Sequence, residues 1–85
     1  MRVKLLGSLK SLMGGGIIEF EMKQVFPKDL LRAINDLASR SEKETVDPSA
    51  VMFIVNGSAL ELKENQAQVI REEDEIVLLP ISHGG

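Results

Sequence analysis

The chain contains no cysteine, no tryptophan and no tyrosine, and only three phenylalanines and one histidine among its 85 residues. Without cysteine there can be no disulfide, no thiolate-held zinc and no cysteine-ligated iron–sulfur cluster, and the composition fits a reducing compartment. The scarcity of aromatic side chains leaves little for stacking nucleic-acid bases. Ten basic residues against thirteen acidic ones give a net charge of −3, the wrong balance for a nucleic-acid surface. Long apolar runs are also missing. The longest, residues 76–81, falls far short of the ~20 residues that cross a bilayer. No secretory signal is expected either, because Met1-Arg2-Val3-Lys4 leads into an apolar run that Gly7 soon breaks. A cytoplasmic protein with no membrane and no nucleic-acid partner is the expectation.

What is present describes one small globular domain, 44% hydrophobic and 27% charged. A chain this size buries roughly 60% of its unfolded surface, enough for a core but not for a deep catalytic cleft. Residues 1–6 read as a strand, followed by a ten-residue connection over 7–16 that holds Gly14-Gly15-Gly16. No Gly-Lys-Ser/Thr follows those glycines, so a flexible turn is expected there in place of a phosphate cradle. Residues 17–22 alternate, with Ile18, Phe20 and Met22 on one face and Glu19 and Glu21 on the other, the mark of a half-buried antiparallel strand.

One helix is expected over Pro27–Arg40. Proline suits its first turn, and Asp29 favours the positive end of its dipole. Leu30, Leu31, Ile34, Leu37 and Ala38 make its apolar stripe, while Lys28, Arg32, Asn35, Asp36 and Ser39 cover the opposite face. Residues 41–49 read as a loop and the continuously apolar Val51–Val55 as a strand buried on both faces or lying along the helix. Asn56-Gly57 is a hairpin-turn signal leading to a short strand over 59–62. Residues 63–74 are mixed and polar. The last strand is expected over 75–79, with Pro80 ending the pairing because it lacks an N–H. Two strands, a helix and three further strands give the order of an α+β, β-grasp fold: a mixed sheet with one helix across one face. The first and last strands then lie side by side in the middle. Residues 1–79 form the expected domain and 80–85 a flexible C-terminal tail.

That tail ends Ser82-His83-Gly84-Gly85. A Gly-Gly end lacks Cβ atoms and can thread a slot too narrow for any other residue. The α-carboxylate of Gly85, with a reference pKa of about 3.3–3.7, is an anion at neutral pH. Such a group can attack the α-phosphate of ATP, and a sulfur donor or an amine can then displace AMP from the acyl adenylate. This chemistry requires neither a metal nor a cofactor on the chain itself.

Several short motifs now converge. Val3-Lys4-Leu5-Leu6-Gly7-Ser8-Leu9-Lys10, Val55-Asn56-Gly57, Asp74-Glu75-Ile76-Val77 and Leu78-Leu79-Pro80 are similar, in order and spacing, to the MoaD/ThiS group of ubiquitin-like sulfur carriers. That group includes the small subunit of molybdopterin synthase, the ubiquitin-related modifier and the archaeal small modifier proteins. Glu73 stands where the family usually has glycine. The ending Pro80-Ile81-Ser82-His83-Gly84-Gly85 departs from the usual MoaD Pro-Pro-Val-Ser-Gly-Gly and comes closer to the ubiquitin-related modifier.

The resemblance implies a carrier, not an enzyme by itself. Gly85, with Gly84 before it, would be adenylated by an ATP-dependent activating enzyme resembling ubiquitin-activating enzymes and then thiocarboxylated. ATP is that enzyme's substrate, and the carrier binds no cofactor. A MoaD-like role in molybdenum cofactor biosynthesis is implied first, with the large subunit of molybdopterin synthase as partner. Sulfur transfer to tRNA through a thiolation enzyme, or an isopeptide bond to lysines of target proteins, are the alternatives; thiamine thiazole synthesis is a further possible acceptor route. A plain β-grasp interaction module is the alternative of another class. Leu79, Pro80, Ile81, Ser82 and His83 are the expected partner-binding residues, beside an apolar patch on the outer face of Val51–Val55. His83 reads as a polar contact more than as a general base. The Glu72-Glu73-Asp74-Glu75 run reads as a solvated turn or as a face for a basic partner. Met22 and Met52 read as core or sheet-face residues, and Met13 as loop.

Overall fold

A computed structural model of the chain describes residues 1–60 and 68–81, with the backbone alone at residues 12 and 13. Strands β1 (Arg2–Leu5), β2 (Ile17–Glu19), β4 (Val51–Val55), β5 (Ser58–Leu60) and β7 (Ile76–Pro80) form one sheet in the order β2-β1-β7-β4-β5. β1 and β7 are parallel neighbours at the centre, and the other pairings are antiparallel. A second, two-stranded sheet joins β3 (Gln24–Val25) to β6 (Ile70–Arg71). Helices α1 (Ser8–Met13) and α2 (Pro27–Arg40) complete the fold with a 3-10 turn at Pro48–Ala50. This is the β-grasp arrangement.

The expected helix matches α2 at both ends. Pro27 opens it with Phe26 extended before it, Asp29 lies in its first turn and Arg40 in its last. Its buried stripe is Pro27, Leu30, Leu31, Ile34 and Ala38. Leu37, expected inside, is 38% exposed, and Asn35, expected outside, is half-buried. At 3.6 residues per turn these two positions flank the stripe on opposite sides, so small tilts of the helix decide their burial. Asn35 puts its position to use. Its side-chain amide donates to the Val46 carbonyl at 3.0 Å and its carbonyl accepts from the Val46 N–H at 2.8 Å.

Under α2 the sheet contributes Val3, Leu5, Phe53, Val55, Leu60, Ile76 and Leu78 to one core. Ile18, Phe20 and Met22 pack against it half-buried, on the face their alternation predicts, although regular pairing of β2 stops at Glu19. The β4–β5 hairpin closes through Asn56 (φ 51°) and Gly57 (φ 84°), the positive-φ pair that a type I′ turn needs.

Four expectations are corrected. The connection over 7–16 contains α1, a six-residue helix whose Leu9 is buried; Met13 lies in it, not in loop. The triple glycine begins with its cap, since Gly14 is left-handed at φ 76° and its N–H bonds the Lys10 carbonyl. The polar stretch 63–74 contains β6, whose Ile70 is fully buried. Pairing does not stop before Pro80, which lies opposite Val51 at the end of β7, and the Ile81 N–H then donates to the Ala50 carbonyl at 2.8 Å. The boundary drawn after residue 79 therefore falls inside β7. Antiparallel residues alternate between hydrogen-bonded and non-bonded pairs. Counting back from the Ile81–Ala50 bond puts Pro80 at a non-bonded position towards β4, so its missing N–H would have faced β1. The β1–β7 ladder closes there with the Leu6 N–H on the Leu78 carbonyl, and the chain turns away at Gly7, so proline leaves nothing unpaired.

Candidate functional site: the end of the central strand

Side chains alternate across a strand, and β7 delivers its last residues to two faces. Ile76 and Leu78 are buried in the core, whereas Val77, Leu79 and Ile81 are half-buried on the open face. Pro80 falls on the core side, where its ring lies against Gly7. Of the five expected docking residues, the three that are described divide: Leu79 and Ile81 belong to the outer surface, and Pro80 faces inward. Ser82, His83, Gly84 and Gly85 lie outside the described residues.

The register fixes what surrounds Leu79. Met52 is directly opposite it, and Ile54 is opposite Val77. Along that row Lys4 flanks Val77, Ile17 flanks Lys4, and Ala59 lies beyond Ile54. Ile17 is 56% exposed and Leu6 36%. An apolar surface therefore runs across the open face next to the point where the tail begins, as expected for a docking surface. Met52 is a sheet-face residue on that surface. Charge on this face comes from Lys4 and from Arg2, whose guanidinium donates to Glu19 at 2.7 and 2.9 Å.

The acidic run lies at the opposite end of β7. Asp74 accepts the Arg71 N–H at 2.8 Å and the Asn56 amide at 3.0 Å. Its carboxyl is held below its ordinary value, chiefly by the Arg71 backbone bond and then by Asn56. Asn56 also accepts the Glu75 N–H at 2.8 Å and gives its own N–H to the Glu75 carbonyl. The Asn56-Gly57 and Asp74-Glu75 motifs are thus two halves of one hydrogen-bonded corner. Glu72, Glu73 and Glu75 are exposed around it, a placement that both a solvated turn and a face for a basic partner require.

Two parts of the site escaped the sequence reading. One is α1, for which Leu9, Leu12 and Met13 at helical spacing before Gly14 were an available signal. The other is the Gly7–Pro80 contact, which no local pattern announces. A depression of ≈ 210 Å³ lined by Gln24, Val25, Phe26, Asp29 and Val69 is smaller than the ~300–1,000 Å³ usual for small-molecule sites. Among the described residues no cluster of His, Asp or Glu could hold a metal ion, and no helix is long and apolar enough to cross a membrane.

The ThiS family model matches residues 3–85. Among solved structures, the chain is similar to a Pyrococcus furiosus protein assigned as molybdopterin converting factor subunit 1 (TM-score 0.69, 20% identity, 95% of each chain). It is also similar to small archaeal modifier protein 1 of Methanosarcina acetivorans (TM-score 0.64, 22% identity, 99% of this chain and 94% of that one). Sulfolobus solfataricus Urm1 is a third (TM-score 0.59, 23% identity, 95% of this chain and 100% of that one). No curated protein sequence matches significantly. At such identities the structural likeness speaks for the fold. The family match covers nearly the whole length, and the chain belongs to the ThiS family, in the MoaD/ThiS group of ubiquitin-like sulfur carriers.

Proposed function

We propose that this protein is a sulfur carrier that acts through Gly85, and that its role is MoaD-like, supplying sulfur for molybdopterin. The observation that carries the reading is a family match running from Val3 through Gly85, so that it takes in the domain and the Gly84-Gly85 end together. The Gly85 carboxylate oxygen attacks the α-phosphorus of ATP in an activating enzyme, and pyrophosphate leaves. Hydrosulfide, or a donor equivalent to it, displaces AMP and leaves a thiocarboxylate. The carrier's part is to dock through the apolar face around Leu79 and present its end; the activating enzyme binds the ATP.

The ending Ser82-His83-Gly84-Gly85, closer to the ubiquitin-related modifier, favours a second reading in which a lysine amine displaces AMP and an isopeptide bond forms. Both readings share the adenylate. Incubation with ATP, the cognate activating enzyme and sulfide should shift the intact mass by one oxygen-to-sulfur exchange. Removal of Gly85 should abolish the shift and leave the melting temperature unchanged, because glycine has no side chain to pack and chain termini commonly contribute little to stability. Sulfur uptake by the shortened chain, or a wild type that never forms an adenylate, would return the protein to the class of plain interaction modules. Mixing the thiocarboxylate with a molybdopterin synthase large subunit then separates the MoaD role from conjugation.

A further inference from the structure

The tail root is held from both sides. On one flank the Ala50 carbonyl accepts the Ile81 N–H at 2.8 Å. Ala50 ends the 3-10 turn that Asp47 caps through the Ser49 N–H at 2.9 Å, and Asn35 of α2 ties down the adjoining Val46. On the other flank stands Gly7, where the chain leaves β1 for α1 with φ 59° and ψ −139°. That conformation is close to the region reserved for glycine. A Cβ on Gly7 would meet Pro80 Cγ at 3.2 Å, tighter than ordinary packing, and Cδ at 3.5 Å, an ordinary contact. Pro80 has its own φ locked near −65°, so its ring and the Gly7 backbone define where β7 ends and in which direction the chain continues.

We infer that Gly7 and Pro80 are a pair of positioning residues for the carrier reaction, fixing the place and direction of the tail root at Ile81. The inference rests on the carrier reading. Its consequence is a short reach. Residues 82–85 span at most about 14 Å when extended, at ~3.3–3.6 Å each. The direction in which Ile81 points therefore governs whether the Gly85 carboxylate arrives at the α-phosphate. A misdirected root costs turnover, since displacement of about 1 Å can lower a rate on the order of a hundredfold. Docking through the open face on the other side of β7 is left intact.

The test is a double-mutant cycle of Gly7→Ala and Pro80→Ala, read in carrier-dependent pyrophosphate exchange by the activating enzyme, with melting temperatures alongside. Gly7→Ala should lower kcat about tenfold or more with KM for the carrier changed less than about twofold. The double variant should lose less than the sum of the two single losses, because the methyl then meets no ring. A merely structural role would move the melting temperature without the kcat-specific loss or the coupling. Should Gly7→Ala not fold, Pro80→Ala alone decides, since it introduces no backbone strain: a lowered kcat at unchanged KM supports the pair, and wild-type kcat overturns it. A folded Gly7→Ala with wild-type kcat, or a loss confined to KM, overturns the inference while leaving the carrier reading standing. A wild-type chain that supports no exchange overturns both.

Discussion

Leu78 and Leu79 are consecutive residues of the same central strand, yet they face opposite sides of the sheet. Leu78 is 1% exposed and lies in the core opposite Phe53, where burying such a side chain contributes ≈ 1.5–3 kcal/mol. Leu79 faces the other way, half-buried on the open face opposite Met52. That face keeps apolar area in contact with water, which contributes little to folding and is what a docking partner can use. The period of two in a β-strand sets a core residue and a proposed docking residue within a single peptide unit of each other.

The same substitution on the two faces tests that separation. Leu78→Asp should have the largest effect, more than about 4 kcal/mol in urea denaturation, because it buries a carboxylate with no partner. Leu79→Asp should cost about 1 kcal/mol of stability but weaken binding to the activating enzyme by at least about tenfold, as a lost interface anchor does, measured by titration calorimetry. Equal destabilisation by the two variants would erase the distinction between the faces, and unaltered binding would remove Leu79 from the docking surface.

Polar groups sharpen the contrast at smaller scale. Asp74 accepts two hydrogen bonds in the corner that joins Asn56 to β7, and its lowered pKa carries a definite sign. The stability it contributes is present above its unfolded pKa of about 3.9 and is lost as pH falls through the depressed folded value. Asp74→Asn should therefore lower stability near pH 7 and flatten its decline below about pH 4, seen in thermal melts over that range. The Arg2–Glu19 pair on the open face has side chains 69% and 64% exposed. Glu19→Gln should change stability by no more than about 1 kcal/mol, and added salt should shrink the difference. A large loss there would mean that the open face contributes to folding after all.

Legibility followed the range of the interactions. The bounds of α2 and most of its stripe were readable because Pro27, Asp29 and Leu30, Leu31, Ile34 and Ala38 all act within one helix, whereas the burial of Leu37 and Asn35 at the edges of the stripe was not. The β4–β5 turn was readable because Asn56-Gly57 supplies the positive φ values locally. By contrast, β3 and β6 pair only over Gln24–Val25 and Ile70–Arg71, too short to show alternation in either segment. α1 was hidden by the glycines on both sides of it, whose function is to start and cap the helix. Of the candidate site, the residue types of the tail root were legible and their directions were not.

The sequence by itself determined the family motifs and the fold's order. The Val55-Asn56-Gly57 and Asp74-Glu75-Ile76-Val77 motifs, the absence of cysteine and the succession of periodic segments are properties of residues and their near neighbours. Only the tertiary structure decided which face each residue of β7 occupies, that Asn56 and Asp74 meet, and that Gly7 lies against Pro80. Those facts depend on strand register and on contacts between residues far apart in the chain. Register is set by the packing of the whole core, because a slip of one residue would turn every side chain of the strand to the other face.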